Sequence, residues 1–568
     1  MVLSKHINSL DLESELLKDA PKIKLSNEEY LNAYDSQINV PQYEIPEYSS
    51  DGKLTYKYLS QELTLDGNPT LNLASFVNTY VDEIQTKLIV DNLTKNLADN
   101  DEYPSLMDVQ TRCISILSNL WNAPYKTDEK TGDKITNSIG TATTGSSEAI
   151  MLAGLALKKR WQLKRKQQGK DFTKPNILMA SCAQVALEKF ACYFDVENRI
   201  IPINAKSNHL IDVSEIKKNI DENTIGIFVI MGSTFTGSFE PVEQINNLLD
   251  EVEKETGLDI RIHVDGASGG FVAPFLFPHL KWDFQIPRVD SINTSGHKFG
   301  LTSVGLGWVI WKDEELLPKE LRFSLDYLGG VEETFGLNFS RPGFPVITQY
   351  FNFLTLGREG YAKIFGAAMQ NARLLSNYLE KTKYFEVLSE IHHELKAEDK
   401  KKLLTREVKD SDKLKEIYTI CENYHPGLPV VAFRFSKEFR ETYPEIPQEL
   451  FSMLLRKRGF IVPNYHLPPN EKEIEILRVV VRNSLSLSLL EKLIQDFTEI
   501  AELLIKAADS VRVVLSKENT STLDENKEKV HQLLLAIASG GQAQVKQKQH
   551  EKTDHKAGKN KTSYRGTC

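Results

Sequence analysis

The chain is poor in cysteine, has no long apolar run and carries no excess of basic charge. Each absence closes a class of function. Its 568 residues include five cysteines, Cys113, Cys182, Cys192, Cys421 and Cys568, scattered singly with no CxxC pair and no zinc-ligand spacing. Neither a disulfide framework nor a metal site is therefore expected. Such cysteine usage suits a reducing compartment, and a soluble cytoplasmic protein is expected. No segment approaches the ~18 consecutive apolar residues that announce a membrane-spanning helix. The opening MVLSKHINSLDLESELLKDA carries acids throughout and lacks an unbroken apolar stretch, so it reads as neither a secretory signal nor a transit peptide. Lys plus Arg number 69 against 78 Asp plus Glu, a net charge of −9, which argues against a nucleic-acid partner. No GxxxxGK loop occurs and no GxGxxG follows a strand-like run, so nucleotide readings lose their usual support. What remains is a globular composition, 41% hydrophobic and 26% charged, long enough for roughly three or four structural units.

The texture of the chain divides it into four parts. Residues 1–70 mix Pro, Tyr, Asn and acids and suggest an irregular arm with one short helix. Over 71–345, strand-like and helix-like segments alternate. The apolar runs 176–180, 225–231, 260–264 and 305–311 are short, β-branched and bounded by Gly, Ser or Pro, while 149–161 and 242–254 have helical character. That alternation predicts an α/β domain with a mostly parallel sheet covered by helices. Residues 346–515 predict a smaller α+β domain with strands at 430–435 and 476–481. It closes on an amphipathic helix that places Leu490, Leu493, Ile494, Phe497, Ala501 and Leu504 on one face. Residues 516–568 are polar and end basic, with seven Lys or Arg against two acids from Lys546 onward. A solvated, disordered tail is the expectation there.

Three stretches carry chemistry. In SINTSGHKFG, Lys298 follows Ser-Gly-His at the end of an apolar run. An interior lysine must neutralise or find a partner, and covalent attachment to a cofactor aldehyde meets that need. The bland alternative is a loop lysine on the surface. In IRIHVDGASGGFVAP, Asp265 ends a strand inside an apolar, Gly-rich segment. A buried carboxylate needs a cationic or hydrogen-bonding partner, such as a protonated pyridine nitrogen, although a helix-capping Asp would look similar. Around it, Gly266, Ala267, Gly269 and Gly270 would let backbone approach a ring closely. In TATTGSSEA, Ser146 and Ser147 open an Ala- and Leu-rich helix, a common capping signal that also suits a phosphate. The three occur in that order, with Asp265 and Lys298 33 positions apart.

That ordered set resembles the pyridoxal-phosphate-dependent decarboxylases of fold type I, most closely the glutamate decarboxylases of fungi and plants. The resemblance runs from about residue 64 to about residue 506 through NLASFVNTY, NLADNDEYP, TGSSEAIM, QVALEKFACYFDVE, DENTIGIFVIMGSTFTG, HVDGASGGFVAPF, SGHKFGL, DYLGG, NFSRPG and LRVVVR. It implies a fold type I transferase-like architecture, pyridoxal 5′-phosphate as cofactor and decarboxylation of L-glutamate to 4-aminobutanoate. By the same resemblance Lys298 is the Schiff-base lysine and Asp265 the partner of the ring nitrogen. Ser146, Ser147, Ser295 and His297 are implied as phosphate ligands, Gln184 as stacking on the ring, and Thr234 and Ala267 as lying at its edges. Ser340 is implied to reach the cofactor of a neighbouring subunit, so a dimer at least is expected, with a hexamer compatible. Tyr327, in a mobile segment with Leu328, is implied as catalytic. For the substrate, Arg478 is implied to hold the α-carboxylate, and Ser75, Phe76 and Asn96 the distal carboxylate, with Asp99 nearby and protonated when the site is filled.

The chain also departs from the family pattern. Bacterial members have Thr at the position of Ser75 and His at that of Glu188, and their acid-sensing N-terminal helix has no counterpart, so acid activation is not carried over. Plant members bind calmodulin through a basic, Trp-containing tail. Here no Trp follows Trp311, which leaves that partner open. Two rivals remain at this stage: a type I decarboxylase for an aromatic amino acid or cysteine sulfinate, and a non-catalytic scaffold. The polar set Ser75, Asn96 and Asp99 speaks against the first, and the joint presence of Lys298, Asp265 and Arg478 against the second.

Overall fold

The computed structural model describes residues 43–128, 132, 134–325, 332–407 and 412–517, and beyond them 530, 531, 534 and 536. Residues 1–42 of the expected arm and almost all of the expected tail lie outside the described residues. Met1–Pro69 and Thr70–Cys568 are two compact units. The described part of the first carries a helix, Gly52–Leu63, whose start is fixed by Asp51 accepting from the Lys53 and Leu54 N–H groups.

The second unit is built on seven strands: β1 Ile139–Thr143, β2 Asn176–Ala180, β3 Glu197–Ile201, β4 Thr224–Ile230, β5 Ile262–Asp265, β6 Val289–Thr294 and β7 Gly307–Trp311. They form one sheet in the order β1-β7-β6-β5-β4-β2-β3. Pairing is parallel from β6 through β3, and β7 runs antiparallel to both of its neighbours. Every residue of β2, β4, β5, β6 and β7 is buried, because helices cover both faces and the strands need apolar side chains on each. The covering helices include α1 Ser146–Gln167, α2 Val185–Tyr193, α3 Val242–Thr256 and α4 Gly269–Leu276. β3 was not among the apolar runs read from the sequence. As an edge strand with three exposed residues, it has no continuous apolar signal to read.

A long helix, α5 Phe344–Lys381, is broken at Gly357, where φ is 55°. Only a residue without a Cβ takes that conformation cheaply. Tyr361, one turn beyond the break, stacks on Phe275 of α4 with ring centroids 4.8 Å apart, and such buried rings contribute roughly 1.5–3 kcal/mol each by burial. A second, antiparallel sheet follows, β8 Phe385–Val387, β9 Val430–Phe435, β10 Asn464–His466 and β11 Glu475–Val480, in the order β8-β9-β11-β10. Helix α6, Leu487–Lys517, buries Leu490, Leu493, Phe497, Ala501 and Leu504. Its Phe497 ring lies 5.5 Å from that of Phe433 on β9. Among the described residues no helix is long and apolar enough to cross a membrane.

Candidate active site

A cavity of about 240 Å³ opens at the carboxyl ends of the parallel strands, where the chain leaves the sheet and its side chains are not consumed by packing. β1 hands over to Ser146 and Ser147, β2 to Cys182 and Gln184, β4 to Gly232 and Thr234, β5 to Asp265 and Ala267, and β6 to Ser295, His297 and Lys298. Of the cofactor residues expected from the sequence, all but Ser340 line this cavity.

One wall is a cup of donors. The first turn of α1 has no side-chain cap on its N–H groups. The Ser146 hydroxyl, expected to cap it, is engaged otherwise, its Oγ lying 2.6 Å from Ser295 Oγ. His297 accepts at Nδ1 from the Leu306 N–H at 3.3 Å. Burial, reinforced by Lys298, pushes its pKa down to about 4. The ring is therefore neutral at neutral pH with its proton on Nε2, a ready donor. Space is set by glycine: a Cβ on Gly307 would lie 2.4 Å from the Gly145 carbonyl carbon, and one on Gly145 3.3 Å from His297 Cε1. Open N–H groups at the positive end of a helix, two hydroxyls and a neutral imidazole make a site for a phosphate.

The opposite element is a buried carboxylate with one oxygen engaged. Asp265 Oδ1 accepts from the Ala267 N–H at 3.1 Å and from Asn293 Nδ2 at 3.0 Å. Its Oδ2 makes no hydrogen bond among the described residues. Burial raises the pKa of Asp265, against the lowering effects of Asn293, Lys298 and the Ala267 N–H. Behind it, His263 Nε2 meets Asn293 Oδ1 at 2.8 Å, and His263 Nδ1 meets Ser291 Oγ at 2.8 Å. Parallel pairing of β5 with β6 sets His263 opposite Ser291 and Asp265 opposite Asn293. This chain holds the carboxylate in one orientation. Sequence reading missed His263, Ser291 and Asn293, although their alternate spacing on two adjacent strands places them on one face. The glycines near Asp265 serve another purpose than the one expected: a Cβ on Gly269 would sit 2.2 Å from the Met231 carbonyl oxygen, and one on Gly266 2.8 Å from that of Asn293. They let α4 close on the sheet, and it is Ala267 that faces the cavity.

Lys298 is 8% exposed, with Nζ 5.7 Å from the Phe76 ring centroid. Arg478, on β11, sets its guanidinium 4.9 Å from the same ring and is 3% exposed. It donates from Nη1 to the Thr234 carbonyl at 2.5 Å and from Nη2 to that of Ala74. Its Nε has no partner, and it forms no ion pair among the described residues. The surface ion pair that was its bland alternative is therefore absent. A buried guanidinium held by neutral oxygens, the carbonyls and the nearby Tyr465 hydroxyl, is poised for an anion. Ser75 is half-buried beside Phe76, with Oγ accepting from the Val77 N–H at 3.2 Å.

Other predicted residues gather elsewhere. Asn96 Nδ2 lies 3.3 Å from the exposed Ser340 Oγ, Asp99 accepts from the Glu102 N–H at 3.0 Å, and, like Ser75, Phe76 and Arg478, none of the three lines the cavity. Tyr327 and Leu328 lie outside the described residues. Glu148, missed in the sequence, accepts from the N–H groups of Thr144 at 2.8 Å, Leu337 at 3.1 Å and Asn338 at 3.2 Å, tying the 337–338 stretch to the start of α1.

Glu240 also escaped sequence reading. It is buried, accepts at Oε2 from the Ile230 N–H at 2.6 Å, and faces Cys182 Sγ at 3.8 Å. Burial pushes its pKa up to about 8 from an ordinary 4.5. Because the folded chain holds this proton more tightly than the unfolded one, its stabilising effect is present below pH ~4.5 and is lost as pH rises through about 8, a swing on the order of a few kcal/mol. Glu240→Gln keeps the shape and removes the titration. The melting temperature of the variant is expected to fall less between pH 6 and about 8.5 than that of the parent, and parallel curves would reject this account.

Comparison with known proteins agrees with this geometry. The family described as the pyridoxal-dependent decarboxylase conserved domain matches residues 57–397. The chain is 46% identical to the glutamate decarboxylase of Saccharomyces cerevisiae, covering 98% of this chain and 95% of that protein. It is 41% identical to glutamate decarboxylase 1 of Arabidopsis thaliana over 86% of this chain and 89% of that one. Among solved structures, the glutamate decarboxylase of Lactobacillus brevis superposes with a TM-score of 0.71 at 34% identity, covering 81% of this chain and 95% of that one. With the cup, the oriented carboxylate and the lysine together at the carboxyl ends of the sheet's strands, the chain belongs to the pyridoxal-dependent decarboxylase family, among its glutamate decarboxylases.

Proposed function

We propose that the protein removes the α-carboxylate of L-glutamate as carbon dioxide, leaving 4-aminobutanoate, with pyridoxal 5′-phosphate as cofactor. The cavity residues fit that group. Ser146, Ser147, Ser295, His297 and the open N–H groups of α1 would hold its phosphate, Asp265 Oδ2 its ring nitrogen, and Lys298 its aldehyde carbon. When bound, the cofactor supplies an electron-poor ring that stabilises charge left on a substrate carbon as carbon dioxide departs.

The chain's own residues do the rest. Asp265, fixed by Asn293 and Ala267, holds a negative charge where the cofactor needs one. Arg478 receives a carboxylate through its planar fork and orients the amino acid. Phe76 excludes water between the two cations. Lys298 Nζ carries and returns protons at the reacting carbon. The observation that carries the substrate reading is Arg478: a guanidinium 3% exposed with no carboxylate partner among the described residues. Ser340, Asn96 and Asp99 stand away from the cavity of their own chain, which supports a homo-oligomer in which a second copy brings them to it. The free cysteines, three of the four described being buried, support a cytoplasmic setting. Incubating the purified holoenzyme with single amino acids tests the substrate: carbon dioxide and amine release from glutamate is expected to exceed that from aspartate, cysteine sulfinate or aromatic amino acids by at least about 100-fold, some 3 kcal/mol. Equal rates on an aromatic amino acid would overturn the reading.

A further inference from the structure

Away from the cavity, three potential metal-ligating side chains meet at the end of α5. Glu380 lies one residue before the helix ends, and His392 and His393 lie in the segment that follows β8. One ligand atom from each falls within 4.8 Å of the others. The closest approaches are shorter: His392 Nε2 and His393 Nε2 lie 3.2 and 3.1 Å from Glu380 Oε1. Ligands bound to one tetrahedral zinc ion at ~2.0–2.1 Å stand about 3.3 Å apart.

Further features favour an ion there. His392 is 5% exposed, yet among the described residues neither of its ring nitrogens makes a hydrogen bond. His393 Nδ1 lies 2.8 Å from Glu390 Oε2. If that contact takes the ring proton, the lone pair of His393 Nε2 faces the Glu380 carboxylate, acceptor against acceptor, unless a cation lies between. A carboxylate behind a ligating imidazole is the usual support of such a metal. Backbone bonds fix the segment, His393 N–H to the Glu390 carbonyl at 2.9 Å and His425 N–H to that of His393 at 3.1 Å. The carbonyl end of α5 adds a negative potential.

We propose that Glu380, His392 and His393 bind a divalent transition ion, zinc foremost, with Glu390 orienting His393 and a water in the fourth position. Two imidazoles and one carboxylate suit zinc over magnesium or calcium, which prefer oxygen-only sets. Glu380 and His393 keep 39% and 41% of their side chains exposed, giving an ion a way in. The bound ion would tie the end of α5 to the strand segment of the second sheet. No sequence motif announced the site, because Glu380 is separated from the His pair by strand β8. A proton is the rival occupant, since a doubly protonated His393 ring would donate to both Glu390 Oε2 and Glu380 Oε1.

Zinc binding to the holoenzyme is measured by competition with a chromogenic chelator, for the parent, His393→Ala and Glu380→Gln. Both substitutions lie at partly exposed positions, and the difference between proteins isolates this site from the other histidines. One zinc per chain is expected in the parent, with affinity falling at least tenfold in each variant and no displacement by a large excess of magnesium. The melting temperature of the parent should rise with free zinc and that of the variants should not. Equal zinc uptake by parent and variants, or displacement by magnesium, would overturn the proposal and leave a proton as the occupant.

Discussion

Lys298→Ala is expected to give a folded chain that releases no measurable carbon dioxide from glutamate. The side chain lines the cavity, so its loss removes chemistry while the fold is kept. Two roles go with it: the amine that would carry the cofactor, and the group that would hand a proton to the reacting carbon. Losing both is expected to lower kcat by at least ~10⁴-fold, more than about 5 kcal/mol at 1.36 kcal/mol per decade. A second effect follows at Asp265, whose pKa Lys298 helps to hold down against burial; without that charge the carboxyl binds a proton more readily. The visible absorbance of lysine-bound cofactor should vanish while circular dichroism and the melting temperature of the apoprotein stay near those of the parent. Turnover within tenfold of the parent in this variant would remove Lys298 from the chemistry.

Arg478→Ala is expected to cost about 2 to 4 kcal/mol in transition-state terms, or about 30- to 1,000-fold in kcat/KM, as for loss of a charge-assisted, two-pronged contact. Part of the effect is structural, since the guanidinium also donates to the carbonyls of Ala74 and Thr234. Arg478→Lys separates the two contributions. Lysine keeps the charge and loses the planar fork, so it should recover stability more fully than rate. Cofactor absorbance should be retained in both variants, because Arg478 stands over Phe76 and is not part of the phosphate cup. An unchanged kcat/KM for glutamate in Arg478→Ala would take this residue out of substrate binding.

Much of the fold was legible because fully buried parallel strands advertise themselves. The runs near β2, β4, β5 and β7 are continuous and apolar, and their observed limits differ from the expected ones by about two residues at most. The helix on the second sheet was legible from its one-sided spacing, and five of its six predicted face residues are fully buried. β1 and β3 left no comparable trace: β1 is five residues that include Gly and two Thr, and β3 is mostly exposed. In the site, the three motifs with chemical character could be found because a lysine, a carboxylate or paired serines are unusual inside apolar, Gly-rich surroundings. The residues that act through others, His263, Asn293, Glu148 and Glu240, look like ordinary polar positions until their neighbours are known.

The amino-acid order by itself determined that alternating apolar runs build an α/β sheet, that Asp265 and Lys298 stand at the ends of strand-like runs, and that Ser146 opens a helix. Those are consequences of local chemistry and of period, which a linear string contains. Only the tertiary structure decided that, among the described residues, the first turn of α1 stays without a side-chain cap, Asp265 has one oxygen engaged and one without a partner, and Arg478 is buried without a carboxylate. Each depends on what faces a group across space, and a buried charge or donor is defined by that surrounding and not by its neighbours in sequence.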